Sequence, residues 1–178
     1  MPNKQILLKP IGEVLTDFSD DEIRNSFNGV RGKILIYDKY KDGICCLDGF
    51  SHLLVIGYAD KARENSQATL KVKFRKIERL YNIKTPEVGV FASGSPDRPN
   101  LLIVSILKLM GIKDNILEVD NLDMFNGTPI LDIRPFTVER IPKEKIETPD
   151  WYKRIWTDFL PALKGESSPH RFGFTSFI

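Results

Sequence analysis

Gly89-Val-Phe-Ala-Ser-Gly-Ser-Pro-Asp-Arg-Pro-Asn100 is the stretch on which the fold turns. An apolar run, Val88–Ala92, enters a loop built of small, polar and proline residues. Proline fixes φ, and glycine admits backbone conformations closed to other residues. Ser95, Asp97, Arg98 and Asn100 are therefore set on a corner that is stiff before any ligand arrives. A rigid corner on a β scaffold lowers the ordering cost of binding and makes a candidate site. The same residues also fit a tight turn with solvated polar tips, and the segment alone leaves both open.

On either side of this corner, strand signals dominate up to about residue 137. Ile6–Leu8, Ile11–Leu15, Lys33–Tyr37, Leu53–Tyr58, Leu70–Ile77, Leu101–Leu109, Ile116–Val119 and Thr128–Ile133 are short apolar or alternating runs, and Gly111–Asn115 predicts a hairpin turn. Many short strands at such spacing predict a barrel or a sandwich. The chain has no alternating strand–helix pattern, no GxGxxG and no phosphate-binding Walker loop, which argues against a Rossmann fold. Ser19-Asp-Asp-Glu22 predicts a capping box at the start of a short helix, with Ile23 and Phe27 facing inward. Thr148-Pro149 predicts the start of a second helix over Pro149–Leu163, with Tyr152, Trp156 and Leu160 on one face. The proline-bearing, charged stretch Arg134–Asp150 reads as the linker to it, and Gly165–Ile178 as a tail.

The chain has 178 residues, 42% of them apolar, enough for one domain with a core. No apolar run approaches the ~20 residues of a membrane helix, and the apolar run near Met1 is too short for a signal peptide. The expectation is a cytoplasmic protein without membrane attachment. Cys45 and Cys46 are adjacent, a poor geometry for a disulfide, and with two distant histidines they do not make a zinc site. They read as ordinary buried or half-buried side chains, and no metal is expected. Net charge is +2, so a nucleic-acid partner would need a local basic patch. Lys71-Val-Lys-Phe-Arg-Lys-Ile-Glu-Arg79 is the candidate. As a strand it puts Lys71, Lys73 and Arg75 on one face and Val72, Phe74 and Lys76 on the other. That face fits RNA phosphates, or equally a solvated edge whose lysines prevent aggregation.

Three more segments accompany the corner: Lys9-Pro-Ile-Gly-Glu-Val14, Leu47-Asp-Gly-Phe-Ser-His-Leu53 and Leu122-Asp-Met-Phe-Asn-Gly-Thr-Pro-Ile-Leu-Asp-Ile-Arg-Pro-Phe136. In this order and spacing the four blocks resemble the TsaA-like family, the TrmO-type tRNA methyltransferases, over roughly residues 6–137. The resemblance implies a mainly β fold: a single-domain β-barrel over residues 1–140 with short helical additions, followed by a C-terminal helix and tail over residues 141–178. It implies homodimers and S-adenosylmethionine as cofactor. It implies methylation of N6 of threonylcarbamoyladenosine beside the tRNA anticodon. The cofactor-binding positions it implies are Ser93, Ser95, Asp97, Arg98, Asn100, Leu122, Asp123, Gly127 and Thr128. Lys71, Lys73, Arg75 and Arg134 are the candidate RNA contacts.

This chain departs from the family at several positions. The usual loop runs Gly-Val-Phe-Ala-Thr-Arg-Ser-Pro-x-Arg-Pro-Asn-Pro-Ile-Gly-Leu-Ser. Here Ser93 replaces the threonine, Gly94 the first arginine, and Leu101-Leu102-Ile103 the Pro-Ile-Gly step. Tyr58-Ala-Asp-Lys61 stands where an aromatic–histidine step is usual. Two functions therefore compete: an active methyltransferase, or a divergent module that binds a nucleotide-like ligand or RNA without catalysis. In the first, the chain must align nucleophile, methyl carbon and leaving sulfur and accept an amine proton. Asp132, then Asp123, then Asp97 are the candidate carboxylates, and His52 is a candidate base because its unperturbed pKa lies near neutrality. Asp132 also fits a structural ion pair with Arg134 or Arg98. There is no Gly-x-Ser-x-Gly elbow, and Ser51 and His52 on one strand would face opposite ways, so a Ser-His-Asp set is not expected.

Overall fold

Along His52–Tyr58, buried residues alternate with half-buried ones, and Leu53 and Val55 are fully buried. This two-residue period marks a strand with one face in a core and one outside. The computed structural model describes residues 5–26, 28–61, 70–82 and 84–155. In chain order it holds β1 (Gly12–Leu15), α1 (Asp20–Asn25), β2 (Val30–Ile36), β3 (His52–Tyr58), β4 (Lys71–Val72), α2 (Arg75–Tyr81), β5 (Val88–Gly89), β6 (Leu102–Lys113), β7 (Ile116–Leu122) and β8 (Pro129–Pro135). Six strands close a barrel in the order β1-β2-β7-β6-β3-β8. Every pairing is antiparallel, including β1 with β8. Val14, Ile34, Leu53, Val55, Leu107, Leu117 and Ile130 fill its interior at 0% exposure. The barrel and α1 are as the sequence predicts, while α2 falls where a strand was expected.

Closure depends on irregularities. Register shifts occur between Val30 and Gly32, between Leu109 and Gly111, and between Ile56 and Gly57. Such bulges bend a strand and let a small sheet curl onto itself. At Gly57 a Cβ would stand 2.8 Å from the Met124 sulfur, so the last of these shifts brings two segments closer than a side chain allows.

Several local expectations change. Ile6–Leu8 is not a strand and its side chains are exposed, because the barrel already closes through β1 and β8. The expected turn over Gly111–Asn115 shrinks to Asp114-Asn115: β6 continues to Lys113, Asp114 takes φ +55°, and the Asn115 side-chain amide donates to Ile36 O at 2.7 Å. Val88–Ala92 is a two-residue strand followed by a 3-10 turn. The basic stretch is a strand only at Lys71–Val72, and from Arg75 it is helix. Lys71, Lys73 and Arg75 are exposed and Val72, Phe74 and Lys76 buried, as the alternation predicts. They do not form one strand face, because β4 stops at Val72 and helix begins at Arg75; Asn82 (φ +52°) ends that helix, and Glu78 holds the Thr85 N–H (3.0 Å) and hydroxyl (2.8 Å). A run of helix-forming residues before an asparagine was the missed signal. Cys45 and Cys46 are free, as expected, but exposed: they lie in the loop before β3, with Sγ atoms 3.6 Å apart.

The capping box forms, with Ser19 N–H donating to Glu22 (2.8 Å) and Glu22 N–H to Ser19 Oγ (3.3 Å), and Ile23 is buried. Phe27 lies outside the described residues. Residues 150–155 are helical, Ile155 is buried, and Trp151 lies 6.1 Å from the Phe74 ring. Trp156, Leu160 and the tail fall outside the described residues.

Candidate functional site

β3 lies between β8 and β6, and the register places their outward residues in rows. Arg134, Leu54 and Ile106 share one row; Asp132, Ile56 and Val104 share the next; Tyr58 stands opposite Leu102. The intervening residues Leu53, Val55, Ile103, Ser105 and Leu107 turn into the barrel. The proline corner and the chain after β8 close over this outer face. Ser93, Gly94 and Arg98 on one side, and Phe136, Arg140 and Ile141 on the other, bound a cleft of about 700 Å³. Leu54, Val104 and Ile106 form its apolar floor.

Hydrogen bonds, as much as the prolines, stiffen the corner. Arg98 Nη1 donates to Val90 O (3.1 Å) and Ser93 O (2.9 Å), and Ser93 Oγ donates to Val90 O (2.8 Å). Ser95 is fully buried; its Oγ accepts the Asp97 N–H at 3.1 Å, and its own N–H donates to Ser93 Oγ at 3.3 Å. The Arg98 guanidinium lies 5.6 Å from the exposed Phe91 ring. Asn100 is exposed at the end of the corner.

The substituted Pro-Ile-Gly step is explicable here. Leu101 sits at φ +51° and its N–H donates to Arg98 O at 3.0 Å. Proline can take neither that φ nor that bond. Leu101 and Ile103 are both buried in the core, and only Leu102 of the three lines the cleft. The change therefore thickens the inner packing and leaves the cleft wall in place.

Asp132 and Arg134 stand on the outer face beside the cleft floor, and Arg134 Nε donates to Asp132 Oδ2 at 2.9 Å. Asp132 Oδ1 accepts the Ile133 N–H at 3.0 Å. The expected ion pair exists, but both side chains are about half exposed rather than buried. His52 opens β3 on the same face, opposite Lys108, and its carbonyl accepts the Phe136 N–H at 2.9 Å. Its Nδ1 is 2.9 Å from Ser51 Oγ. These two side chains meet, contrary to the strand argument, because Ser51 precedes the strand.

Other candidates lie away from the cleft. Asp123 Oδ1 accepts from Ser105 Oγ at 2.6 Å, and Ser105 is on the inner side of β6. Lys76, 5% exposed, donates to Ser26 O at 3.0 Å and feels the Asp123 carboxylate. Burial drives the Lys76 pKa down to about 8 against that attraction. Leu122 and Thr128 are buried, and Gly127 (φ +81°) donates to Val14 O at 2.8 Å. Lys71 stands 3.9 Å from Glu87 on the small β4–β5 ribbon. Sequence reasoning missed the floor residues Leu54, Val104 and Ile106, which read as ordinary strand residues. It also missed Arg140, for which no local pattern exists.

Among the described residues no helix is long and apolar enough to cross a membrane, and no group of three or more His, Cys, Asp or Glu is placed to hold a metal. Comparison with known proteins shows what this arrangement belongs to. Residues 24–140 match the family described as the tRNA-methyltransferase O N-terminal domain. An Archaeoglobus fulgidus protein named as S-adenosyl-L-methionine-binding is 30% identical over 137 residues, 75% of this chain and 91% of that one. The human protein named tRNA (adenine(37)-N6)-methyltransferase is 30% identical over 114 residues, 64% of this chain but only 24% of its own length. Two crystal structures of TrmO share the fold. One has TM-score 0.56 at 21% identity, covering 80% of this chain and 64% of its own. The other, from Pseudomonas aeruginosa, has TM-score 0.54 at 19% identity, covering 80% and 61%. This chain thus spans less than two thirds of the TrmO structures it resembles. The barrel, the corner and the matched span agree: the chain belongs to the tRNA-methyltransferase O N-terminal domain family.

Proposed function

We propose that this protein is an S-adenosylmethionine-dependent methyltransferase acting on N6 of threonylcarbamoyladenosine beside the tRNA anticodon. The observation that carries the proposal is the cleft, where the proline corner and the chain after Ile133 meet over an apolar floor. Its ~700 Å³ is within the range of small-molecule sites and has room for a nucleoside. An apolar floor with a few polar groups at its edges suits an adenosyl cofactor. When bound, that cofactor supplies an activated methyl group on a sulfonium. Arg98, anchored through Nη1, has Nε and Nη2 to offer a carboxylate, and Ser93, its hydroxyl donated to Val90 O, holds the same wall in shape. Ser95, Asp97 and Asn100 shape the corner that holds them. Asp132, beside the floor, supplies negative charge and accepts the proton released from the amine nitrogen; Arg134 orients it through the 2.9 Å bond. His52 stands at the far end of the same face as the second candidate base. Asp123, half-buried just past the end of β7, steadies β6 through Ser105 rather than meeting the cofactor.

The protein works as a homodimer in the cytoplasm; light scattering at about twice the 20.4 kDa chain mass checks the first part. The direct test of activity is mass spectrometry of nucleosides from tRNA incubated with protein and S-adenosylmethionine. One added methyl on threonylcarbamoyladenosine is the expected product. Cofactor binding without any methylated nucleoside would favour the non-catalytic binding module instead.

A further inference from the structure

The turn that leads toward β3 carries both cysteines of the chain, and the cleft uses neither. A 3-10 helix over Asp38–Ile44 ends there, with the Cys45 N–H donating to Asp42 O at 3.2 Å. The Leu47 N–H donates to Ile44 O at 3.1 Å, Cys45 has φ −55° and ψ 132°, and Cys46 has φ +61°. These are the marks of a type II turn, whose third position favours glycine because φ is positive there. Here that position holds a cysteine. Ile44 and Leu47, on either side, are half-buried and pack against the barrel core, so the tip is held at both ends. Both thiols at the tip are exposed, and their Sγ atoms lie 3.6 Å apart.

That separation selects among the partners of a thiol pair. A disulfide wants its Cα atoms at least about 4.4 Å apart, whereas neighbours across a trans peptide, as here, have theirs about 3.8 Å apart. An atom bonded to both sulfurs at about 2.3 Å spans 3.6 Å with about 100° between its two bonds. A pyramidal or tetrahedral centre fits that angle; a linear one needs about 4.6 Å. Tetrahedral zinc takes four ligands, and among the described residues no group of three or more His, Cys, Asp or Glu is placed to hold a metal. The thiols also keep their protons. The hydrogen bond with Cys46 raises the Cys45 pKa, and so does that neighbour's charge. A cation must expel such protons before it binds. Trivalent arsenic carrying one organic group meets neither obstacle. It is pyramidal, it has two positions to fill, and its hydroxyl groups carry the thiol protons away as water.

We propose that Cys45 and Cys46 form a two-thiol site for trivalent organic arsenicals of the form R–As(OH)2. Both S–H bonds and both As–OH bonds break, two As–S bonds form and two waters leave, with no change of oxidation state. The site is separate from the methyltransferase function proposed above and does not depend on it. The test is intact-mass spectrometry of the reduced full chain titrated with phenylarsine oxide, which hydrates to this form. The expected product is one phenylarsenic group per chain with the loss of two hydrogens. It should survive excess monothiol and be removed by the dithiol 2,3-dimercaptopropanol. Cys45→Ser and Cys46→Gly each leave a single thiol, and each should weaken the adduct at least about a hundredfold, because the second As–S bond forms at high effective concentration. Cys46→Gly supplies the residue that the turn favours, so its melting temperature should not fall below wild type. Iodoacetamide should still alkylate the remaining thiol of both variants. An adduct as stable in either variant as in wild type, or two arsenic groups on each wild-type chain, would overturn the proposal. So would the lack of any adduct on a wild-type chain whose thiols both react with iodoacetamide. Zn2+ held one per chain through gel filtration and blocking the arsenical would overturn the choice of arsenic over a metal ion.

Discussion

Lys76 is buried where a lysine is costly, and its surroundings make that cost measurable. Burial lowers its pKa from 10.5 to about 8; the Asp123 carboxylate opposes the shift and Arg79 adds to it. Between those two pH values the unfolded chain binds more protons than the native one, so the native state gains stability as pH rises through that window. The upper limit is ~3 kcal/mol. Lys76→Met removes the group, so urea denaturation should show the difference between wild type and variant moving toward wild type from about pH 7.5 to 10.5. A difference constant with pH would contradict this account. Gly94 makes the opposite kind of test. It lines the cleft at the position where the family loop has arginine. Gly94→Arg should tighten S-adenosylmethionine several-fold by calorimetry, since a guanidinium adds charge-assisted bonds to a carboxylate. Weaker binding would mean that this wall does not face the cofactor. Asp132 and Arg98 stood out in the sequence because they sit in recognisable blocks, and Arg98 lines the cleft. Lys76 was not, since alternation gave its burial but nothing in the sequence announced its neighbours Ser26 and Asp123.

Among the elements, β3, β7, β8 and the α1 capping box follow from period and cap chemistry close to their observed bounds. β6 outran its prediction because Gly111 serves a bulge rather than a turn. α2 was hidden because the alternation of β4 runs unbroken into its first turn. The proline corner is the element that matters most, and its backbone differs from what the family loop implies. With Leu101 at φ +51° and its N–H on Arg98 O, Leu101→Pro requires the corner to rebuild. The cost should be about 3 kcal/mol or more in denaturant unfolding, despite restoring the family's residue. A neutral or stabilising effect would show that the corner keeps the family's backbone.

At the scale of the whole molecule, barrel closure brings the corner at residues 89–100 over β3, β6 and β8, strands drawn from distant parts of the chain. That is why the proline-corner wall was legible as a motif while the apolar floor and the far wall around Arg140 and Ile141 were not: Leu54, Val104 and Ile106 acquire their meaning only from register. Closure also separates Asp123, half-buried beyond the end of β7, from Asp132 on the outer face, although both belong to one motif. The central claim is that the outer cleft is the cofactor site, and filling it tests that most directly. Val104 is 38% exposed on the cleft floor, so Val104→Trp occupies the space without disturbing the core. Calorimetry should find one S-adenosylmethionine per wild-type chain and no binding to Val104→Trp at an unchanged melting temperature. Equal binding to both proteins would place the cofactor elsewhere and contradict the account.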